Sequence, residues 1–141
     1  MEAVIIFIII LGVLILVHEL GHFVSAIKLG VDVEEFAIGF PPKIVSWVRK
    51  GVKYSINWIP MGGFVKITGE QGEGQDDPRS FVNQPAWKKL IIISAGVFMN
   101  FVLAFVLLSI VFMAGFPQEL TEDTIGKEIK DKNVVILQIA K

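Results

Sequence analysis

Residues 3–27 read AVIIFIIILGVLILVHELGHFVSAI, and this stretch decides the fold. Residues 3–17 are unbroken apolar residues apart from Gly12, and His18-Glu19-Leu20-Gly21-His22 follows at once. About 25 residues make roughly 37 Å of helix. That exceeds a hydrocarbon core of about 30 Å. The stretch therefore predicts a membrane-spanning helix with ionisable groups inside it. A cleaved signal peptide fits poorly, because no basic region precedes the run, the run is long, and no small-x-small cleavage site stands out before the histidines.

A second stretch of similar length, residues 90–114, is interrupted only by small residues and Asn100. Of the 141 residues, 53% are hydrophobic, and the mean hydropathy is +0.65. Both values point to the lipid bilayer as a partner. A net charge of −1 gives no sign of nucleic-acid binding. Without cysteine there is neither a disulfide framework nor a thiolate metal site. A transition metal would have to be held by His, Asp or Glu, and the only two histidines share one pentapeptide.

Residues 28–89 hold nine of the 13 Lys and Arg residues, and the flank before residue 3 holds none. The positive-inside rule places residues 28–89 in the cytoplasm and both termini on the far side. The segment reads as strands. Residues 33–39 end at Gly39-Phe40-Pro41-Pro42, residues 43–48 follow, and Lys50-Gly51 marks a turn. Residues 53–59 alternate, with Tyr54, Ile56 and Trp58 on one side and Ser55 and Asn57 on the other. Pro60-Met61-Gly62-Gly63 reads as a tight turn, and residues 64–68 resume the extended pattern. A β-meander over 33–68 is expected, followed by a polar, mobile loop over 69–78. The tail holds a loop at 115–117 and one strand-like run at 133–139, which cannot bury a face alone. The chain thus reads as reaching the start of a further domain.

On a helix, His18 and His22 share one face. Two imidazoles at that spacing suit one Zn²⁺. Glu19 beside them is placed to take a proton from a water on the metal and pass it to a leaving amine. Solvated surface residues would be the bland alternative. Inside an apolar span such groups are expensive and usually functional. Two histidines do not complete a catalytic zinc site, which normally has three protein ligands. Asp32, Glu34, Glu35, Asp76 and Asp77 are the nearby carboxylates, and none is favoured. Gly21 leaves room for a neighbouring helix. Gly96 permits close packing against the zinc-motif helix, and Asn100 one turn on is read equally as bonding substrate or as a structural interhelical bond.

Four motifs occur in a specific order: His18-Glu19-Leu20-Gly21-His22, Gly39-Phe40-Pro41-Pro42, Pro60-Met61-Gly62-Gly63-Phe64-Val65-Lys66, and Ala95-Gly96-Val97-Phe98-Met99-Asn100-Phe101. Over residues 1 to about 115 the chain resembles the site-2 protease family of intramembrane zinc metalloproteases, in its bacterial sigma-factor-regulating, PDZ-containing branch. Two positions depart from common family forms: Pro41 follows Phe40, and Val97 follows Gly96. The resemblance implies an α-helical integral membrane protein of the bacterial inner membrane. Two transmembrane helices would flank a cytoplasmic, membrane-dipping hairpin, with the start of a PDZ-like domain after residue 115. It implies His18 and His22 as zinc ligands and Glu19 as general base. It implies a third ligand from an Asp-Gly pair in a later helix. The substrate would be a transmembrane protein such as an anti-sigma factor or a remnant signal peptide.

The hairpin at 53–68 resembles the family's membrane-dipping loop, with Gly62, Gly63 and Phe64 as substrate contacts. A helical substrate shields its carbonyls in hydrogen bonds and must be held extended to be cut, which an exposed strand edge does. Such a loop enters the membrane only where protein or water covers its backbone, and an ordinary hairpin on the membrane surface is the alternative. A catalytically incomplete fragment or scaffold module is the competing functional class. A transporter is weaker still, since no repeat or further ionisable helix residue forms a pathway.

Overall fold

The computed structural model describes residues 1–115 apart from 73 and 75. The order is α1 (Glu2–Lys28), β1 (Val33–Arg49), β2 (Val52–Ile67), a 3₁₀ turn at Phe81–Asn83, and α2 (Ala86–Ala114). Met1–Phe105 form one compact unit, and Val106–Lys141 belong to another. The strand expected at 133–139 lies outside the described residues.

Both helices are long and apolar enough to cross a membrane. Many β-branched residues line α1, a composition that disfavours helix in water. In hydrocarbon a backbone must satisfy its own hydrogen bonds, and a helix does so residue by residue. The apolar side chains point outward: Phe7 is 62% exposed, Phe101 71% and Phe105 73%. A water-soluble chain of this size does not leave so continuous an apolar surface.

Local chemistry sets the helix ends. Gly30 has a φ of +75°. Its N–H donates to Ile27 O at 3.1 Å, and Val31 N–H donates to Ala26 O at 2.9 Å. This is the paired C-terminal closure in which a glycine adopts the left-handed conformation. Val31 and Ala26 also meet in the core. At α2 the helix begins at Ala86, four residues before the expected span at 90. Two ammonium groups explain the difference. Lys88 Nζ donates to Leu29 O and Lys89 Nζ to Val82 O, both at 2.8 Å. With those partners the lysines sit in the first helical turns although they are not apolar.

The strands form one antiparallel hairpin turning at Lys50 and Gly51. The expected meander is corrected in one respect. Residues 39–42 and 60–63 are bends within two long strands rather than breaks between short ones. Pairing continues across them, as Phe40↔Ile59 and Ile38↔Gly63 show. Gly39 (φ +79°) and Gly62 (φ +96°) supply the backbone conformations that let each strand bend. Because of the bends, residues 35–38 pair with 63–66 on one side and 53–56 on the other. Residues 63–67 are therefore a sheet edge. Glu35 ties the sheet's polar end together. It accepts from Ser55 Oγ and pairs with Lys43 at 3.2 Å and Lys53 at 3.5 Å.

A small core joins the elements. Ala26, Val31, Val33, Val52, Ile67 and Ile92 are buried, with Phe23, Tyr54 and Phe81 packed against them. It takes in Phe23 and Ala26 from the last turns of α1, and His22 directly precedes Phe23.

Candidate metal centre

His18 and His22 lie on the face of α1 that meets α2. Their rings are 4.8 Å apart between centroids and 76° from parallel. Opposite them is Gly96. A Cβ added there would stand 2.5 Å from His22 Nε2 and 2.6 Å from His18 Nε2. Both ε nitrogens therefore converge on one spot beside the α2 backbone, and only the absence of a side chain keeps that spot open. One turn along, Gly21 of α1 lies directly against the backbone carbonyl of Ala95. Two glycines, one on each helix, make the crossing this close.

The other ring nitrogens are also engaged. His22 Nδ1 is 2.7 Å from Ile92 O. A carbonyl only accepts, so Nδ1 carries the proton and Nε2 keeps its lone pair. The Ile92 side chain is 1% exposed, which anchors that carbonyl in the core. His18 Nδ1 faces Asn100 Nδ2 at 3.5 Å. Ile92, Gly96 and Asn100 are spaced by four, matching the spacing of the two histidines.

Glu19 follows His18 and projects about 100° further around the helix, towards the sheet. Its Oε2 accepts the N–H of Val65 at 3.2 Å. Val65 belongs to the edge segment 63–67, so the carboxylate sits between the histidine face and the outer edge of β2. Higher along α1, Gly12 approaches Pro60 O (3.2 Å to an added Cβ) and Gly62 N (3.5 Å). An added Cβ at Gly62 would strike Ile15 at 2.6 Å. The bend of β2 thus runs along residues 12–19 of α1. Gly12 lies about 24 Å along the helix from Lys28.

The model of peptidase family M50 matches residues 6–141. The chain belongs to peptidase family M50, the site-2 protease family. It is similar to proteins that carry the name "Putative zinc metalloprotease". One from Clostridium acetobutylicum is 47% identical over 116 residues, covering 82% of this chain and 33% of the relative. One from Fusobacterium nucleatum is 44% identical, covering 72% and 30%. One from Vibrio cholerae is 45% identical, covering 79% and 25%. The chain spans a quarter to a third of the length of these relatives.

The donor set of this M50 chain fits zinc. Two imidazole ε nitrogens from residues at i and i+4 are borderline-soft donors of the kind zinc takes. The gap beside Gly96 is where an added Cβ would crowd both. Among the described residues, no group of three metal-ligating side chains gathers. Asp32 pairs with Arg79 at 2.9 Å, Glu34 with Lys66 at 2.7 Å, and Glu35 with its two lysines. These carboxylates already have cationic partners.

Sequence reasoning named His18, Glu19, His22, Gly96 and Asn100, and the structure brings all five to the α1–α2 crossing or beside it. Gly62 and Gly63 are buried against α1 and β1, and Phe64 packs on Phe40 at 6.4 Å between centroids. Ile92, Val65 and Gly12 were missed. Ile92 and Val65 contribute backbone groups, and Gly12 contributes a missing side chain. None leaves a chemical signature in the sequence.

Proposed function

We propose that this chain supplies two zinc ligands and the general base of an intramembrane metalloprotease, which hydrolyses peptide bonds in or near the membrane-spanning segments of other proteins. The observation that carries this reading is the convergence of both histidine ε nitrogens on the gap at Gly96, within two helices whose outer surfaces are apolar.

In this reading His18 and His22 hold Zn²⁺, which supplies Lewis acidity and water activation when bound. The Ile92 carbonyl holds His22 in the ligating tautomer. Glu19 takes a proton from the attacking water at its carboxylate and returns it to the departing amine. Its neighbour Val65 lies on the sheet edge formed by residues 63–67, where an extended substrate segment would add by strand pairing. Gly62, Gly63 and Phe64 line the inner part of that edge. Contact between the β2 bend and the middle of α1 supports a hairpin that dips into the membrane. There α1 covers one side of its backbone, as such a loop requires. Trp58 (71% exposed) and Met61 present an apolar tip.

The remaining parts follow from the family resemblance and charge pattern. The third ligand comes from an Asp on a later helix. Residues 28–89 lie on the cytoplasmic side of the bacterial inner membrane, and both termini lie outside it. The resemblance implies that residues 115–141 carry a linker and the first strand of a PDZ domain. Substrates are membrane proteins such as an anti-sigma factor or remnant signal peptides.

The test is Glu19→Gln in the full-length protein with a tagged transmembrane substrate. Cleavage is expected to vanish while bound zinc persists, and undiminished cleavage overturns the assignment. One observation favours a second reading, that the 141-residue chain alone is an incomplete module: the described residues gather two metal ligands and no third. One-to-one zinc with turnover by the isolated chain would reject that reading.

A further inference from the structure

The two histidines differ in what touches their δ nitrogens. His22 Nδ1 meets a backbone carbonyl, which accepts and never donates. His18 Nδ1 meets the carboxamide of Asn100, which can do either. With Nδ2 towards the ring, the amide donates, His18 Nδ1 must be bare, and the ring proton sits on Nε2. That tautomer points an N–H at the gap beside Gly96 and cannot ligate a metal. With the amide turned by 180° about its last torsion, Oδ1 takes the place of Nδ2. It then accepts the Nδ1 proton and leaves the Nε2 lone pair facing the gap.

The two amide orientations occupy almost the same volume. Asn100 Oδ1 is buried and has no hydrogen-bond partner among the described residues, so no hydrogen bond there holds the oxygen in its present place. The 3.5 Å separation is long for a hydrogen bond.

We propose that Asn100 is a positioning residue for His18: its Oδ1 accepts the Nδ1 proton and so selects the tautomer whose Nε2 binds the metal. This rests on the reading of His18 and His22 as zinc ligands. The side chain of α2 thereby does for His18 what the backbone carbonyl of Ile92 does for His22. Partners of this kind orient a ligand ring and raise its basicity, and their loss typically weakens metal binding by about 10–100-fold.

The test is metal binding by the purified full-length protein in detergent, on a Glu19→Gln background to prevent self-cleavage. Zn²⁺ affinity is read by chelator competition, and the ligand field is read from the visible absorption of the Co²⁺-substituted protein. Asn100→Asp offers only acceptor atoms. It is expected to hold Zn²⁺ within a few-fold of the parent, with an unchanged Co²⁺ band. Asn100→Leu keeps the branched skeleton but removes the acceptor. It is expected to weaken Zn²⁺ about 10–100-fold and to shift the band.

Equal binding by parent, Asp and Leu variants overturns the proposal and leaves Asn100 a packing residue. Equal losses in Asp and Leu overturn it as well, since the amide would then be needed as a donor. If Asn100→Leu does not fold, Asn100→Ala replaces it in the same comparison. His18→Ala serves as the reference. If it binds Zn²⁺ like the parent, the metal-ligand reading itself fails, an outcome distinct from failure at Asn100.

Discussion

The two helices look alike in composition and play opposite parts. Both are long, apolar and exposed along their outer faces. On α1 the face towards its neighbour carries side-chain chemistry: His18, Glu19 and His22. On α2 the matching face offers a carbonyl from Ile92, a missing side chain at Gly96 and an amide from Asn100. In the proposed site the reactive groups belong to one helix, and the other presents the groups that would orient them. On that reading a pair of histidines in an apolar helix is only part of a site, and a complementary stripe at the same four-residue step on a second helix belongs to it as well.

Substitutions can break that division of labour. The largest effect is expected at Gly96. Gly96→Leu places carbon where both ε nitrogens converge, so bound zinc after dialysis and cleavage should both fall to background. Zinc retained at one equivalent would show that the gap is not where the metal sits. Next is Gly21→Leu, which forces α1 away from the Ala95 carbonyl. Overpacking of this kind costs about 1–3 kcal/mol. A lower melting temperature in detergent and weaker zinc retention are expected, and an unchanged melt would mean that the crossing is looser than it looks. Gly12→Val is milder and acts on another face. It displaces the Pro60–Gly62 bend without touching the histidines. Cleavage is expected to drop several-fold while zinc content stays constant. A parallel loss of zinc would show that the sheet and the metal face are not separable.

The smallest effect concerns acid and the far end of the sheet. Burial pushes the Glu35 carboxyl up, but the Ser55 hydroxyl, Lys43 and Lys53 outweigh it and hold the group below its ordinary value. A depressed carboxylate stabilises the fold above its ordinary pKa, and this contribution is lost as pH falls through the depressed value. Acidification from neutral pH to below 4 should therefore loosen the hairpin modestly, as read by amide exchange over residues 52–57. Glu35→Gln should remove that part of the pH dependence. An identical acid profile in the variant would assign the loosening to other groups.

Much of this arrangement could be read from the sequence, and the reasons differ by element. The helices follow from long apolar runs, and the histidine face follows from a four-residue spacing inside one of them. The strands at 53–59 follow from alternation. The bends were harder to read. Pro60-Met61-Gly62-Gly63 has turn chemistry, and only the pairing of Ile38 with Gly63 shows that the strand carries on. The start of α2 at Ala86 depended on lysine contacts with carbonyls of Leu29 and Val82, which are distant in sequence or outside the helix. The partner groups of the histidines were least visible, because a main-chain carbonyl is present at every residue and only the fold selects Ile92.

The contact between Lys88 and the Leu29 carbonyl has a consequence beyond closing a helix end. Because the histidines and the α2 stripe both repeat every four residues, α2 could slide by one turn, about 5.4 Å, and still present a similar row. Such a slip would put Ile92 or Asn100 where Gly96 belongs and crowd the nitrogens. Lys88 lies one step further along the same row and is pinned to the end of α1. It works as an index mark, and the pairing of Asp32 with Arg79 secures the nearby loops. In the proposed site, the alignment of the ligand nitrogens would thus depend in part on an ammonium group at the opposite end of the crossing.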